Sequence, residues 1–188
     1  SVPNPHLIGI VDKKLIEQYH EDIICLTGNL YGEVPNMILN VGEKQAEEAL
    51  LWWKSIFKDD LYSEIMRHGQ EDEQRVNQTL IKFSKTHDIK LVASNNTFYL
   101  NKKDAQAHDV LLCVKDSELV KTPKGRGRGF RFGLENEEYY FKSQEEMKEL
   151  FLDLPEAIES IQEIVDKCEH YGLARDVLLP AFDIPEEF

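Results

Sequence analysis

The sequence predicts an α/β fold in which parallel strands alternate with helices, and three observations carry that prediction. Ile23-Ile24-Cys25-Leu26 and Ile89 to Ala93 are short apolar runs of strand length, and Leu61 to Gly69 reads as a third strand between them. Apolar runs of this kind belong to strands buried on both faces of a parallel sheet. Stretches of helical periodicity separate the three, giving the order strand, helix, strand, helix, strand, helix from residue 22. From Ile89 to Val114 a strand, the polar turn Ser94-Asn95-Asn96 and a helix follow one another without filler. That is one β-loop-α unit, and ligands of α/β sheets usually bind at the carboxyl ends of such strands.

Taken in order, residues 1–11 hold two prolines, and Asp12 to Tyr19 places Leu15, Ile16 and Tyr19 at helical spacing. Thr27 to Pro35 reads as a turn after the first strand. Gly42 to Phe57 is an amphipathic helix with Ala46, Ala49, Leu50, Trp53, Ile56 and Phe57 inward and Glu43, Lys44, Glu47 and Glu48 in water. The adjacent Trp52 and Trp53 cannot face the same way, so one is expected in the core and the other against a neighbouring element. Gln74 to His87 carries Val76, Leu80, Phe83 and His87 on one helical face, with His87 placed to cap the helix end. Asn101 reads as an N-cap with Asp104 three residues on, followed by Ala105, His108, Leu111 and Leu112. Beyond a polar, Gly-rich stretch from 116 to 136 come the aromatic run Tyr139-Tyr140-Phe141 and a capping box, Ser143 to Glu146. Met147, Leu150 and Phe151 make a short helix, and Pro155 opens another with Ile158, Ile161, Val165 and Cys168 on one stripe.

With 188 residues, 41% of them hydrophobic, the chain can bury a sizeable core as one domain or a piece of a larger one. Neither a bilayer-spanning apolar run nor a signal-peptide pattern is present, which predicts a soluble, cytoplasmic protein without a membrane partner. Cys25, Cys113 and Cys168 are widely spaced within apolar runs and read as buried, reduced thiols. The 22 basic and 35 acidic residues give a net charge of −13, which repels nucleic acid phosphates over most of the surface. The stretch Lys121 to Phe132 departs locally from that, with five positive charges among glycines.

Several segments resemble one family. Ala93-Ser94-Asn95-Asn96-Thr97-Phe98-Tyr99-Leu100 and Ala107-His108-Asp109-Val110-Leu111-Leu112-Cys113 resemble (A/S)-T-N-D-V-H-Y-L and A-H-D-x-L-L-C of the polymerase and histidinol phosphatase (PHP) domain, in the version carried by the alpha subunit of bacterial DNA polymerase III. Thr27 to Pro35 is similar to its L-S-G-C-L-x-G-E-(I/V)-P, and Leu61 to Gly69 to its (F/Y)-Y-x-E-(I/L)-Q-R-H-G. Phe141 to Met147, Leu154 to Ile164 and Leu178 to Pro185 resemble later segments that lead toward the polymerase palm, so the resemblance covers roughly residues 12 to 186, with the motifs in the family's order.

The resemblance implies part of a distorted (β/α)7 barrel: a partial barrel over 1–115, a Gly/Arg-rich loop and aromatic strand over 116–142, and a helical extension over 143–188. Intact members hold a metal cluster and hydrolyse phosphoesters. Here the positions of the family's Cys, Asp and His ligands carry Asn29, Asn96 and Phe98, and the family's first two motifs would lie before residue 1. The implied expectation is a fragment with no cofactor and no activity of its own, while the whole alpha subunit is a Mg-dependent DNA-directed DNA polymerase acting in replication. Implied partners are the rest of the alpha subunit, the proofreading exonuclease subunit, and DNA through the whole polymerase. An uncovered barrel edge also predicts self-association.

Glu64 and His68, four apart on one predicted strand, are expected to share a face as rim residues of the barrel mouth. Two other functions remain open. Lys124, Arg126, Arg128 and Arg131, with the neighbouring aromatics, have the chemistry to track single-stranded DNA. A phosphoesterase with relocated ligands would draw on Glu64, His68 and His20 or His87.

Overall fold

A computed structural model of the chain describes residues 11–125, 127–170 and 172. In chain order the elements are α1 (Lys13–Tyr19), β1 (Cys25–Leu26), α2 (Glu33–Asn40), α3 (Glu43–Phe57), β2 (Leu61–Ile65), α4 (Glu71–His87), β3 (Lys90–Ala93), α5 (Ala105–Asp116), α6 (Gln144–Leu150) and α7 (Pro155–Lys167). The three strands form one parallel sheet in the order β1-β2-β3, with Leu26 opposite Tyr62 and Ser63 opposite Leu91. Pairing continues past the strand ends, where Thr27 N–H donates to Tyr62 O at 3.1 Å and Ser94 N–H to Ile65 O at 3.0 Å. The parallel α/β arrangement is therefore present; among the described residues the sheet has three strands and does not close into a seven-stranded barrel.

The core is one cluster in which α2, α3 and α4 meet the sheet, and Phe151, Leu154 and Ala157 from the later part of the chain join the same cluster. Leu50, Leu80, Phe83 and Phe151 are each at most 1% exposed, and burying a side chain of that size contributes roughly 1.5–3 kcal/mol. The helix ends are set locally. Three acids, Glu71, Asp72 and Glu73, occupy the first turn of α4 where the dipole favours them, and Asp88 closes that helix in the left-handed region at φ 52°. Ser143 and Glu146 form the expected capping box on α6, and Asn101 N–H donates to Asp104 Oδ2 at 2.9 Å, ahead of α5.

Several expectations are corrected. The stretch after β1 is not turn throughout: α2 begins at Glu33 and carries Pro35 in its first turn, where the missing N–H has no intrahelical partner to lose. The first strand is not buried, since Ile23 is 51% and Leu26 41% exposed on the sheet edge. The aromatic strand reduces to a bridge between Tyr99 and Tyr140. The α7 stripe is rotated: Leu154, Ala157 and Ser160 are buried, while Ile161 and Val165 are exposed. Small side chains there let α7 lie close along β3. Leu15, Tyr19 and Leu111 are exposed despite their helical spacing, and of the cysteines Cys113 alone is buried, Cys25 being half-buried and Cys168 exposed. His87 is the last residue of α4, at the helix end as expected, and its Nε2 also meets Glu47 of α3 at 2.6 Å. Trp52 and Trp53 are both half-buried and pack edge to face, 4.9 Å between ring centroids. No helix among the described residues is long and apolar enough to cross a membrane.

Candidate functional site

The carboxyl ends of the strands carry the residues singled out above. The β1 turn is tight: Gly28 has φ +78°, and a side chain at Gly32 would overlap the Thr27 carbonyl oxygen, so both positions need glycine. Within that turn Asn29 Oδ1 accepts the Tyr31 N–H at 3.0 Å, so this amide is spent on holding its own loop. Asn29, Glu64 and Glu73 line one small pocket together with Met66, Val76 and Asn77.

Glu64 is on β2, and its backbone N–H donates to Thr27 Oγ1 at 2.9 Å. Its Oε1 accepts the Ser94 hydroxyl at 2.5 Å, tying the end of β2 to the end of β3. His68 is not on the same strand face, because β2 ends at Ile65 and the chain turns inward, leaving His68 1% exposed. Its backbone N–H donates to Glu73 Oε2 at 2.6 Å and its Nδ1 lies 2.7 Å from Glu73 Oε1. On the other side of the ring Nε2 faces the Asn96 N–H at 3.3 Å. An N–H pointing at Nε2 makes that nitrogen the acceptor, which assigns the proton to Nδ1, donating to the carboxylate. The imidazole also stacks on Tyr139, 4.3 Å between centroids and 10° between planes. Burial pushes the Tyr139 hydroxyl above its ordinary range, with the Glu73 charge adding to it.

Phe98 is 47% exposed, and its ring lies near His108 and Tyr139 at 5.5 and 5.9 Å. The segment is held by Phe98 N–H donating to Tyr139 O at 2.9 Å and Phe141 N–H to Tyr99 O at 3.0 Å. Glu73, Tyr139, Asn136 and Lys142 complete this rim, and sequence reasoning missed all four. Asn136 donates to His68 O at 2.6 Å, and the Lys142 ammonium lies against the Glu138 carbonyl and 3.4 Å from Asn95 Oδ1. Burial lowers the Lys142 pKa, against the opposing pull of Glu138. Glu73 carried one legible signal, an acid in a first helical turn five residues after a histidine.

The cations of the Lys121 to Phe132 loop are placed differently from a phosphate-tracking surface. Arg131 is 5% exposed and grips Asp109 of α5 through both terminal nitrogens at 2.9 and 2.8 Å, while its Nε–H donates to Thr122 O at 2.9 Å. Lys124 Nζ lies 3.1 Å from the same carboxylate. Arg131, then Lys124, holds the Asp109 carboxyl down at about 2 against its burial. Arg128 is exposed, and Arg126 lies outside the described residues. His20 Nδ1 contacts the Glu17 carbonyl at 2.9 Å and its ring stands edge-on to Phe57. With His87 on Glu47, neither histidine joins Glu64 or His68, and among the described residues no three His, Cys, Asp or Glu side chains converge to hold a metal ion.

The parallel α/β arrangement agrees with a PHP-type domain, and the PHP domain family model matches residues 3–68, which include the turn after β1, Glu64 and His68. Similar curated proteins include the DNA polymerase III subunit alpha of Borreliella burgdorferi, 37% identical over 95% of this chain and 15% of the relative. The Campylobacter jejuni protein of that name is 42% identical over 84% of this chain and 14% of the relative, and a Helicobacter pylori one 38% over 84% and 13%. The chain belongs to the bacterial DNA polymerase III alpha subunit family, as its PHP-domain part. It spans about 15% of the length of the first of these relatives.

Proposed function

We propose that the chain is a catalytically silent PHP scaffold within a replicative polymerase alpha subunit, supporting the Mg-dependent polymerase region and docking the proofreading exonuclease subunit. The observation that carries this reading is how the strand-end side chains are spent. Glu64 is tied to Ser94, both oxygens of Glu73 take hydrogens from His68, and the remaining nitrogen of His68 is turned toward the Asn96 N–H. A metal cluster needs lone pairs aimed at a shared cation. One oxygen of Glu64, both oxygens of Glu73 and both ring nitrogens of His68 already have protein partners, Asn29 serves its own turn, and Phe98 offers no donor atom. The residues present therefore do not fit the family's metal cluster; they fit a hydrogen-bonded frame that fixes the strand ends without one.

The test is elemental analysis of the chain purified without chelator, alone and with Asn96→Asp and Phe98→His introduced together. Both are expected to carry less than stoichiometric Mn, Fe or Zn. Stoichiometric metal in the unaltered chain would overturn the scaffold reading and favour a phosphoesterase. Docking is tested separately by co-elution of the chain with the exonuclease subunit from the same organism, which the reading expects to see.

A further inference from the structure

The most unusual side-chain cluster outside the strand ends lies where α1 meets α2 and α3. Lys13 of α1 places its ammonium 4.3 Å from the ring centroid of Trp52, 5.9 Å from that of Trp53 and 2.9 Å from Glu33 Oε1. The walls around that ammonium are fixed without help from Lys13. Glu33 is the first residue of α2, and its second oxygen accepts the Trp53 Nε1–H at 2.7 Å. The two indoles stand 83° apart, and Trp53 is backed by the Phe57 ring at 5.9 Å and 27°. Neighbouring positions on a helix project about 100° apart, which is how two consecutive tryptophans supply two walls of one corner. Indole faces attract cations through their quadrupole, and a carboxylate adds the countercharge.

The helix that fills this corner is weakly anchored. None of the seven residues of α1 is buried, and Leu15 and Tyr19 are 43% and 62% exposed. Ile16 packs against the core cluster, and the His20 ring after the helix meets Phe57.

We propose that Trp52, Trp53 and Glu33 form a binding site for an alkylammonium group, filled here by the chain's own Lys13 and opened to a lysine side chain of a protein partner when α1 lifts away. The net charge of −13 favours a basic partner over an acidic one. A lysine from outside must displace one already tethered, so α1 sets the threshold for entry.

The chain's two tryptophans are both in this site, so tryptophan fluorescence, excited selectively over the seven tyrosines, reads it. The probe is n-butylammonium chloride, titrated against sodium chloride at equal ionic strength, with circular dichroism confirming the fold of each variant. With Lys13→Ala the butylammonium titration is expected to saturate in the millimolar range. The unaltered chain is expected to saturate roughly tenfold higher, because the tethered lysine competes at an effective concentration of about that order. Adding Glu33→Gln or Trp52→Leu to Lys13→Ala should weaken the response. The proposal is overturned if Lys13→Ala responds to butylammonium no differently from sodium, or if its response survives both added substitutions. It is equally overturned if the unaltered chain never saturates, since Lys13 would then be a permanent clasp.

Discussion

Truncating Glu73 tests whether the strand ends are held by hydrogen bonds. In the folded chain both carboxylate oxygens are used, one by the His68 backbone N–H at 2.6 Å and one by Nδ1–H at 2.7 Å, and Glu73 is 6% exposed. Glu73→Ala leaves two donors without a partner in a place water barely reaches, each costing roughly 1–3 kcal/mol. The sum is about 2–6 kcal/mol, and at roughly 2–4 °C per kcal/mol for a chain of this size the melting temperature falls by about 4–24 °C. Glu73→Gln keeps one acceptor and turns an NH2 toward the other donor, so its cost should fall between those of the alanine variant and the unaltered protein. The exposed neighbour Glu71 controls for dipole effects at the same helix end. Urea unfolding followed by circular dichroism supplies the measurement, with an unchanged m-value as the condition for comparing midpoints. A loss below about 0.5 kcal/mol for Glu73→Ala, or one equal to that of Glu71→Ala, would refute the argument that this pair fixes the rim.

Three further outcomes are expected. The Asp109 and Glu163 carboxyls are both held at about 2, Asp109 first by Arg131 and Glu163 first by Lys90. A lowered carboxylate pKa contributes stability that is fully present above the unfolded value and disappears as pH falls toward the folded one. The urea midpoint should therefore drop between about pH 5 and pH 2, and Asp109→Asn should flatten part of that drop; identical pH profiles would sink the assignment. Toward a thiol reagent at pH 8, exposed Cys168 should react first, while Cys25, whose pKa burial raises to about 11, and buried Cys113 should wait for unfolding. Finally, because Arg131 and Lys124 face Asp109, the Lys121 to Phe132 loop should show no salt-dependent affinity for single-stranded DNA; an affinity abolished by neutralising Arg128 and Arg131 would restore the DNA-binding alternative.

The fold was legible where local patterns act alone. The Ile89 to Ala93 run, the Ser143 to Glu146 box and the period of α3 each predict their element because burial and capping are short-range requirements. Helix α2 was hidden by Gly32 and Pro35, which signal a turn as strongly as a helix start; the i, i+4 pair Val34 and Ile38, both buried, was the competing cue. The α7 stripe went wrong because size was read as burial, whereas close contact with β3 selects Ala157 and Ser160. At the site, the substitutions at Asn29, Asn96 and Phe98 were visible from motif positions. What replaced the ligands was not, because the partnership of His68 with Glu73 and Asn96, like that of Arg131 with Asp109, depends on how loops fold back.

The attachment of α7 to β3 has a consequence for how the chain is made. Lys90 at the start of β3 meets Glu163 of α7 across 73 residues of sequence, and Tyr62 reaches the same carboxylate across 101. At roughly 5–20 residues per second, a ribosome that has just finished β3 needs on the order of 4–15 s to reach residue 163. During that interval β3 lacks the helix that packs along it. A nascent chain halted before Leu154 should thus be protease-sensitive and sticky, and completion of the fold is timed by translation rather than by the search for the native packing.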